Sequence, residues 1–191
     1  MTTRQPPRFY GVATYSDPLG RFSFRYPTTW HQFELDDNRE GVLFSPETEN
    51  PQTWFSVWVS ELDAHVVAED LEDLQLGLDE GLAQLAECRV ESKAGEPLGN
   101  LIKFERIFTF REDGVTRKRK LWLLYVDKWQ MVVTWQGATE EEYEYWLSMG
   151  NYAFATFTIP EALWFATDRE LLAQLSHNQS DSSSTPAARG D

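Results

Sequence analysis

The stretch LIKFERIFTFREDGVTRKRKLWLLYVDKWQMVVTWQG, Leu101–Gly137, decides the fold. Asp113-Gly114 separates two runs of period two, and an Asp-Gly pair favours a type I′ turn because both central positions need positive φ. The spacing predicts strands over Leu101–Arg111 and Val115–Val126. Their register sets Phe110 beside Arg117, Phe108 beside Arg119, Arg106 beside Leu121 and Phe104 beside Leu123. The other face pairs Thr109 with Lys118, Ile107 with Lys120 and Glu105 with Trp122. A second turn at Asp127-Lys128 leads into Trp129–Gly137 and sets Trp122 beside Val133, Leu124 beside Met131 and Lys120 beside Trp135. One face of this meander carries Trp122, Leu124, Val126, Trp129, Met131, Val133 and Trp135. The opposite face carries Phe104, Phe108, Phe110, Leu121, Leu123, Tyr125 and Val132. A sheet apolar on both faces must be covered on both.

Working outward, helices are predicted on either side. Asp63 is a candidate cap for a helix over 64–87, with Val67, Leu71, Leu74, Leu78, Leu82 and Leu85 in one stripe. Gly77 and Gly81 fall on one face of it, as if to let it approach the sheet closely. It carries seven acids and no Lys or Arg. After the meander, Thr139 and Glu142 form a capping box for a helix over 140–157. Its stripe is Tyr143, Trp146, Leu147, Gly150, Ala153, Phe154 and Phe157, and Pro160 ends it. Thr167 and Glu170 open a further short helix. Shorter strands precede all this: Phe9–Tyr15, Arg21–Tyr26, His31–Leu35, Gly41–Ser45 and Trp54–Ser60. In the last, Trp54, Ser56, Trp58 and Ser60 alternate with Phe55, Val57 and Val59, a strand expected to be covered on both sides.

The expected fold class is therefore α+β: an antiparallel sheet with helices on both faces, an α/β/α sandwich. The expected organisation is a loose arm over 1–8, a domain over 9–159, a helical extension over 160–176 and a disordered tail over 177–191. That tail holds no aromatic and no branched aliphatic residue.

Two stretches carry a resemblance. Tyr15-Ser16-Asp17-Pro18, Phe22-Ser23-Phe24-Arg25-Tyr26-Pro27 and Trp30 resemble the opening of PsbP-like and Mog-like proteins, an aspartate turn, an "FSF" strand and a "YP-x-x-W" corner. The strand Met131–Trp135, the helix start Thr139–Glu142 and the closing "ATFTIP" are similar to the close of that superfamily, which includes DcrB-like proteins and Eag chaperones. The resemblance spans residues 9–159. It implies an α/β/α sandwich and a role in binding rather than catalysis, and it carries over no catalytic residue. Pro27, which has no N–H, is expected to end the strand ladder, and Trp30 to plug the sheet's end.

Composition narrows the function. The 191 residues carry a formal net charge of −14, which disfavours nucleic acid and anionic membranes. Eight Trp, seven Tyr and twelve Phe supply either a large-ringed core or a groove for apolar or peptide ligands. Cys88, the single cysteine, rules out an internal disulfide and reads as a structural thiol. The N-terminus lacks the apolar run of a signal peptide, so with Met1 as the start the expected compartment is the cytoplasm. His31, His65 and His177 have no second ligand at metal spacing, and the acidic clusters read as solvated faces. No catalytic residue, cofactor or metal site is expected, and no nucleic-acid or membrane partner.

Arg117-Lys118-Arg119-Lys120 is the candidate protein-binding run. Residues 103–120 carry seven basic and three acidic side chains, net +4, which leaves −18 on the rest. Pairing with the acidic helix 64–87 would account for the same residues, and the register splits the run between two faces. The leading expectation is a non-catalytic binding or accessory protein acting through an unidentified protein partner, with a homodimer open. Alternatives are a chaperone-like groove for an apolar segment, exposing Trp54, Trp58 or Trp164, and an enzyme using His31 or an acidic cluster.

Overall fold

Two tight turns set the centre of the molecule. The computed structural model describes residues 4–35, 39–98 and 101–164, and in it Asp113 and Gly114 have φ of 50° and 77°. Asp127, in the second turn, has φ 53°. Between and around these turns run β7 (Leu101–Glu112), β8 (Val115–Val126) and β9 (Trp129–Gly137). Every pairing expected from the turns is observed, from Phe110 with Arg117 to Lys120 with Trp135.

The other strands extend this meander. They are β3 (His31–Phe33), β4 (Glu40–Ser45), β5 (Trp54–Glu61) and β6 (Arg89–Leu98). The order across the seven-stranded antiparallel sheet is β3-β4-β5-β9-β8-β7-β6. Strand β6 was not anticipated. It is polar, contains Gly95 and Pro97, and sits at an edge, so it lacks the alternation a half-buried strand requires. Its bulge at Val90/Ser92, Lys93 and Pro97 are the devices that keep an edge from recruiting another strand.

The first two strands, β1 (Val12–Ser16) and β2 (Ser23–Pro27), form a separate hairpin. They belong to a covering layer, not to the sheet. Phe24 meets Phe55 at 4.9 Å and Phe44 at 5.7 Å, and a bridge between Ser23 and Thr158 ties the hairpin to the chain beyond the last long helix. Pro27 is the last residue of β2, and Trp30 N–H turns back onto the Pro27 carbonyl at 2.9 Å. The Asp17 carboxylate clasps the turn, accepting from the Leu19 and Arg21 amides and from the Arg21 guanidinium. Alternation alone places Arg21 on the polar side, yet it is buried as the partner of Asp17, with Glu40 on its other nitrogen.

Helix α2 (Glu140–Ala155) completes that layer. Thr139 accepts from the Glu142 amide at 3.2 Å, one half of the expected capping box. The Glu142 carboxylate is engaged elsewhere, with Arg4 and with the Trp146 indole at 3.1 Å. The main core lies between this layer and the sheet, around Phe22, Phe24, Phe55, Met131, Val133, Trp135 and Phe154. The part of the expected loose arm that is described also lies on α2, with Tyr145 donating to the Gln5 carbonyl at 2.9 Å; just beyond the arm, Phe9 meets Tyr152 edge-on at 5.2 Å.

The opposite face carries α1 (Leu71–Ala83), preceded by a single 3-10 turn at Ala68–Asp70. The helix is therefore shorter than the expected 64–87, and Asp63 does not cap it. The cause is visible at Leu62, whose N–H continues the sheet by donating to the Lys128 carbonyl at 2.7 Å. Leu62 and Val66 then lie against the cluster of Ile102, Phe104 and Tyr125 in irregular chain, while Val67 is exposed. Leu71, Leu74, Leu78, Leu82 and Leu85 pack on the Phe104 and Phe108 side of the sheet, as the stripe requires. Gly77 and Gly81 do not serve close approach: a Cβ built on either meets nothing within 4 Å. Asp79 anchors α1 to the sheet through Arg106 at 3.0 Å and Lys93 at 2.8 Å. A short helix α3 (Glu161–Trp164) follows Pro160. The expected helix from Thr167, the rest of the extension and the tail lie outside the described residues.

Candidate functional site

Helix α1 covers only half of its face. Its leucines lie on the side of the sheet built by β6, β7 and β8, and next to them the face opens into a trough of about 640 Å³ over β3, β4, β5 and β9. The strand expected to be covered on both sides is thus covered on one. Phe55, Val57 and Val59 are buried in the main core, whereas Trp54 and Trp58 are half-buried and line the trough.

The floor is made by register. Ser56 lies opposite Leu43 on one side and Thr134 on the other, and Thr134 lies opposite Leu121. Ser56 is 7% exposed and Thr134 5%. Two small side chains therefore form a low floor between two large rings. Trp54 and Trp58, four residues apart on one strand, are about 13 Å apart along it. Phe33 and Leu43, themselves a cross-strand pair, line the outer wall. Each indole also faces an arginine, Trp54 with Arg119 at 5.5 Å and Trp58 with Arg39 at 5.3 Å.

The four basic residues of the candidate run separate here, two to each face as the register required. Arg117 is buried, pairs with Glu112 at 2.6 Å and donates to Gln52 Oε1 at 2.6 Å. On the α2 side, Lys118 bridges Glu144 at 2.8 Å and Glu91 at 3.1 Å. Burial alone would lower its ammonium, but the two carboxylates outweigh this and hold it above the ordinary lysine range. Lys120 lies 3.6 Å from Glu105 and over the ring of Phe154. The carboxylates come from β6, β7 and α2, not from α1 as the sequence suggested.

Arg119 is the exception. It lines the trough, and its Nε donates to Gln136 Oε1 at 3.0 Å, a neutral acceptor. Among the described residues it forms no ion pair with a carboxylate. Burial pushes its guanidinium down to about 10, so at neutral pH it is a charged, partly desolvated cation. Gln136 is itself held, its Nε2 donating to the Gln52 carbonyl at 3.3 Å. The arginine is thereby positioned, with an amide rather than an acid as neighbour.

The remaining candidates are dispersed. His31 is exposed at the start of β3. His65 lies 2.9 Å from Asp127, and His177 is outside the described residues. Cys88 is half-buried against Phe108 and Phe110, and burial raises its thiol. Among the described residues no three His, Cys, Asp or Glu side chains converge as metal ligands, and no helix is long and apolar enough to cross a membrane. Trp164's side chain is not described. The trough itself had one sequence signal, the Trp-x-Ser-x-Trp-x-Ser alternation of Trp54–Ser60.

No model of a known protein family matches the chain, and no curated sequence does. Solved structures do. The chain is similar to the cyanobacterial PsbP, CyanoP, of Synechocystis, with a TM-score of 0.58 and 14% identity, over 78% of this chain and 92% of that one. LpqN of Mycobacterium tuberculosis, a protein involved in cell envelope biogenesis, is similar at 0.55 and 13%, over 78% and 91%. A protein of unknown function from Pseudomonas aeruginosa, PA94, is similar at 0.51 and 11%, over 78% and 96%. The chain has the PsbP-like, Mog-like fold expected from its opening and closing motifs.

Proposed function

We infer that the protein is a non-catalytic binding or accessory protein that works through protein contacts, and that the trough receives a segment of its partner. One observation carries this reading. Trp54 and Trp58 stand half-exposed on either side of a floor of small residues, whereas Trp135, on the opposite face of the neighbouring strand, is completely buried. Open apolar concavities with a few polar groups are where ligands are held. The wall is rigid because every floor residue lies on a paired strand of the main sheet, so little ordering accompanies binding.

Site-specific photocrosslinking in the source cell tests it. A benzoylphenylalanine at Trp58 is expected to capture a discrete protein, and one at Glu141 on α2 is not. Adding Ser56→Trp, which fills the floor, should abolish the capture. Equal capture from both positions, or capture indifferent to Ser56→Trp, overturns the reading.

A further inference from the structure

The trough is not a merely apolar groove, and the polar group that says most about its occupant is Arg119. Of the four consecutive basic residues, Arg117, Lys118 and Lys120 each have a carboxylate within 3.6 Å. Arg119 has an amide, two ring faces and the trough. A guanidinium presents a planar fork that matches a carboxylate through two parallel hydrogen bonds, and such a pair strengthens where water is partly excluded. Among the described residues, the charged side chains of the lining are Glu34, Arg39 and Arg119.

Geometry says what else the occupant must have. The position of Arg119 across the sheet is fixed by register: it lies opposite Gln136, and Gln136 opposite Trp54. The low floor at Ser56 is two residues further along β5. One end of the occupant therefore meets a cation, and the adjoining part meets a slot walled by two indoles. Arg119 starts two strands away, but its guanidinium reaches to 5.5 Å from the Trp54 ring centroid, so the cation stands beside Trp54; from Trp54 to Ser56 is about 6.6 Å, the step between side chains two residues apart on one side of an extended peptide.

We propose that the occupant is an extended segment of a partner protein that carries an acidic side chain two residues from a bulky apolar one. Its carboxylate lies on Arg119 and its apolar side chain fills the slot over Ser56 and Thr134. This deepens the trough reading and rests on it. The segment lies across the sheet face and does not extend the sheet, because the long edge β6 is protected by its bulge, Lys93 and Pro97. A rigid pocket that sets Arg119 beside two rings recognises this pattern without requiring a unique sequence.

The test uses fluorescence anisotropy with the full chain and labelled, end-blocked hexapeptides. The parent is Gly-Glu-Gly-Phe-Gly-Ser. The controls replace its Glu with Gln, replace its Phe with Ala, or move Glu next to Phe. Binding of the parent is expected to weaken about tenfold or more with either replacement, and to weaken with the shifted spacing. Arg119→Gln should remove the difference between the Glu and Gln peptides. Arg119→Lys should restore part of it, and thermal melts check that both variants fold. Because the peptide controls act on the unaltered protein, the outcome does not depend on the variants.

Equal affinity for the Glu and Gln peptides overturns the anion contact. Decanoate, a carboxylate on an apolar chain without a peptide backbone, is run as a competitor: its binding at Arg119 without measurable peptide binding overturns the peptide occupant, as does silence from every probe at millimolar concentration. The crosslinking experiment above separates these failures from failure of the trough reading. A trough-dependent capture with no preference for acidic peptides leaves that reading standing and removes only this one.

Discussion

The indole of Trp30 lies parallel to that of Trp135, with ring centroids 5.6 Å apart and planes 7° from each other. Trp30 is 4% exposed and Trp135 fully buried. The corner that stops β2 at Pro27 thus delivers a ring to the inner face of β9, on the side of the sheet opposite the trough. Stacked rings add about 0.5–1.5 kcal/mol beyond the area they bury. The corner is a packing device of the covering layer.

Trp30→Ala is expected to cost about 3–5 kcal/mol, the range for removing a large buried ring. Urea denaturation followed by circular dichroism reads it. Peptide affinity of the fraction that remains folded should be unchanged, because the trough lies on the other face. A loss of affinity without a loss of stability would place the corner in the binding site instead.

The Asp17–Arg21 clasp predicts a pH effect. Burial alone would raise the Asp17 carboxyl, but the Arg21 hydrogen bonds and charge outweigh it and hold the carboxyl below its ordinary value. A depressed folded value means the stabilisation is complete above the unfolded value of about 3.9 and is lost as pH falls through the lower folded one. Asp17→Asn should therefore cost about 3 kcal/mol at pH 7, the lower end for breaking a buried pair, since Glu40 still holds the guanidinium. Its stability should also fall less steeply than the unaltered protein's below about pH 4. Parallel acid limbs in the two proteins would show that Asp17 is not linked to folding.

What could be read in the sequence was whatever local chemistry determines. Asp113-Gly114 and Asp127-Lys128 fix two registers, and a register fixes every pair along two strands, so Phe104 to Trp135 could be placed correctly. Thr139 and the stripe through Phe154 did the same for α2. The pairing of β5 with β9 was not legible, because nearly seventy residues intervene and nothing near Trp54 encodes the partner. The start of α1 was hidden for a related reason, since the Leu62 amide is taken by Lys128 from across the sheet. The trough was half legible. Alternation showed that Trp54 and Trp58 share a side, but only tertiary structure shows that α1 stops short of it. Arg119 looked like its three neighbours because the missing carboxylate is a fact about other strands.

The two glycines of α1 offer a gain. Each sits in the helix with open space where a Cβ would be, and neither has positive φ. Gly77→Ala and Gly81→Ala should each stabilise the protein by about 0.5–1 kcal/mol, through helix propensity and a less disordered unfolded chain. An increase in the thermal midpoint measures it. A decrease would mean that the helix face is in fact packed.

Gly150 of α2 is the counter-example. A Cβ there would lie 2.6 Å from Cδ2 of the buried Trp135 ring. The backbone of α2 rests directly on the indole that Trp30 stacks against. Gly150→Ala should destabilise by about 1–3 kcal/mol, as overpacked cores do, and a double-mutant cycle with Trp30→Ala should be non-additive. Additive losses would mean that the two sides of the Trp135 ring respond independently.

The basic run yields a prediction that separates its two faces. Lys118 ties β8 to β6 and α2 through Glu91 and Glu144, and these carboxylates are partly exposed, so water screens the pair. Lys118→Gln should cost about 1 kcal/mol in urea denaturation. Since its folded value is raised, the contribution is complete below the unfolded value near 10.4 and is lost only as pH rises through the folded one. The same substitution should leave the affinity for the acidic hexapeptide unchanged, because Lys118 faces α2. Arg119→Gln should do the opposite, lowering that affinity with a smaller effect on stability, since the guanidinium it removes has no carboxylate to leave behind. If both substitutions weaken binding alike, the run acts as one surface charge and the trough is not selective for Arg119.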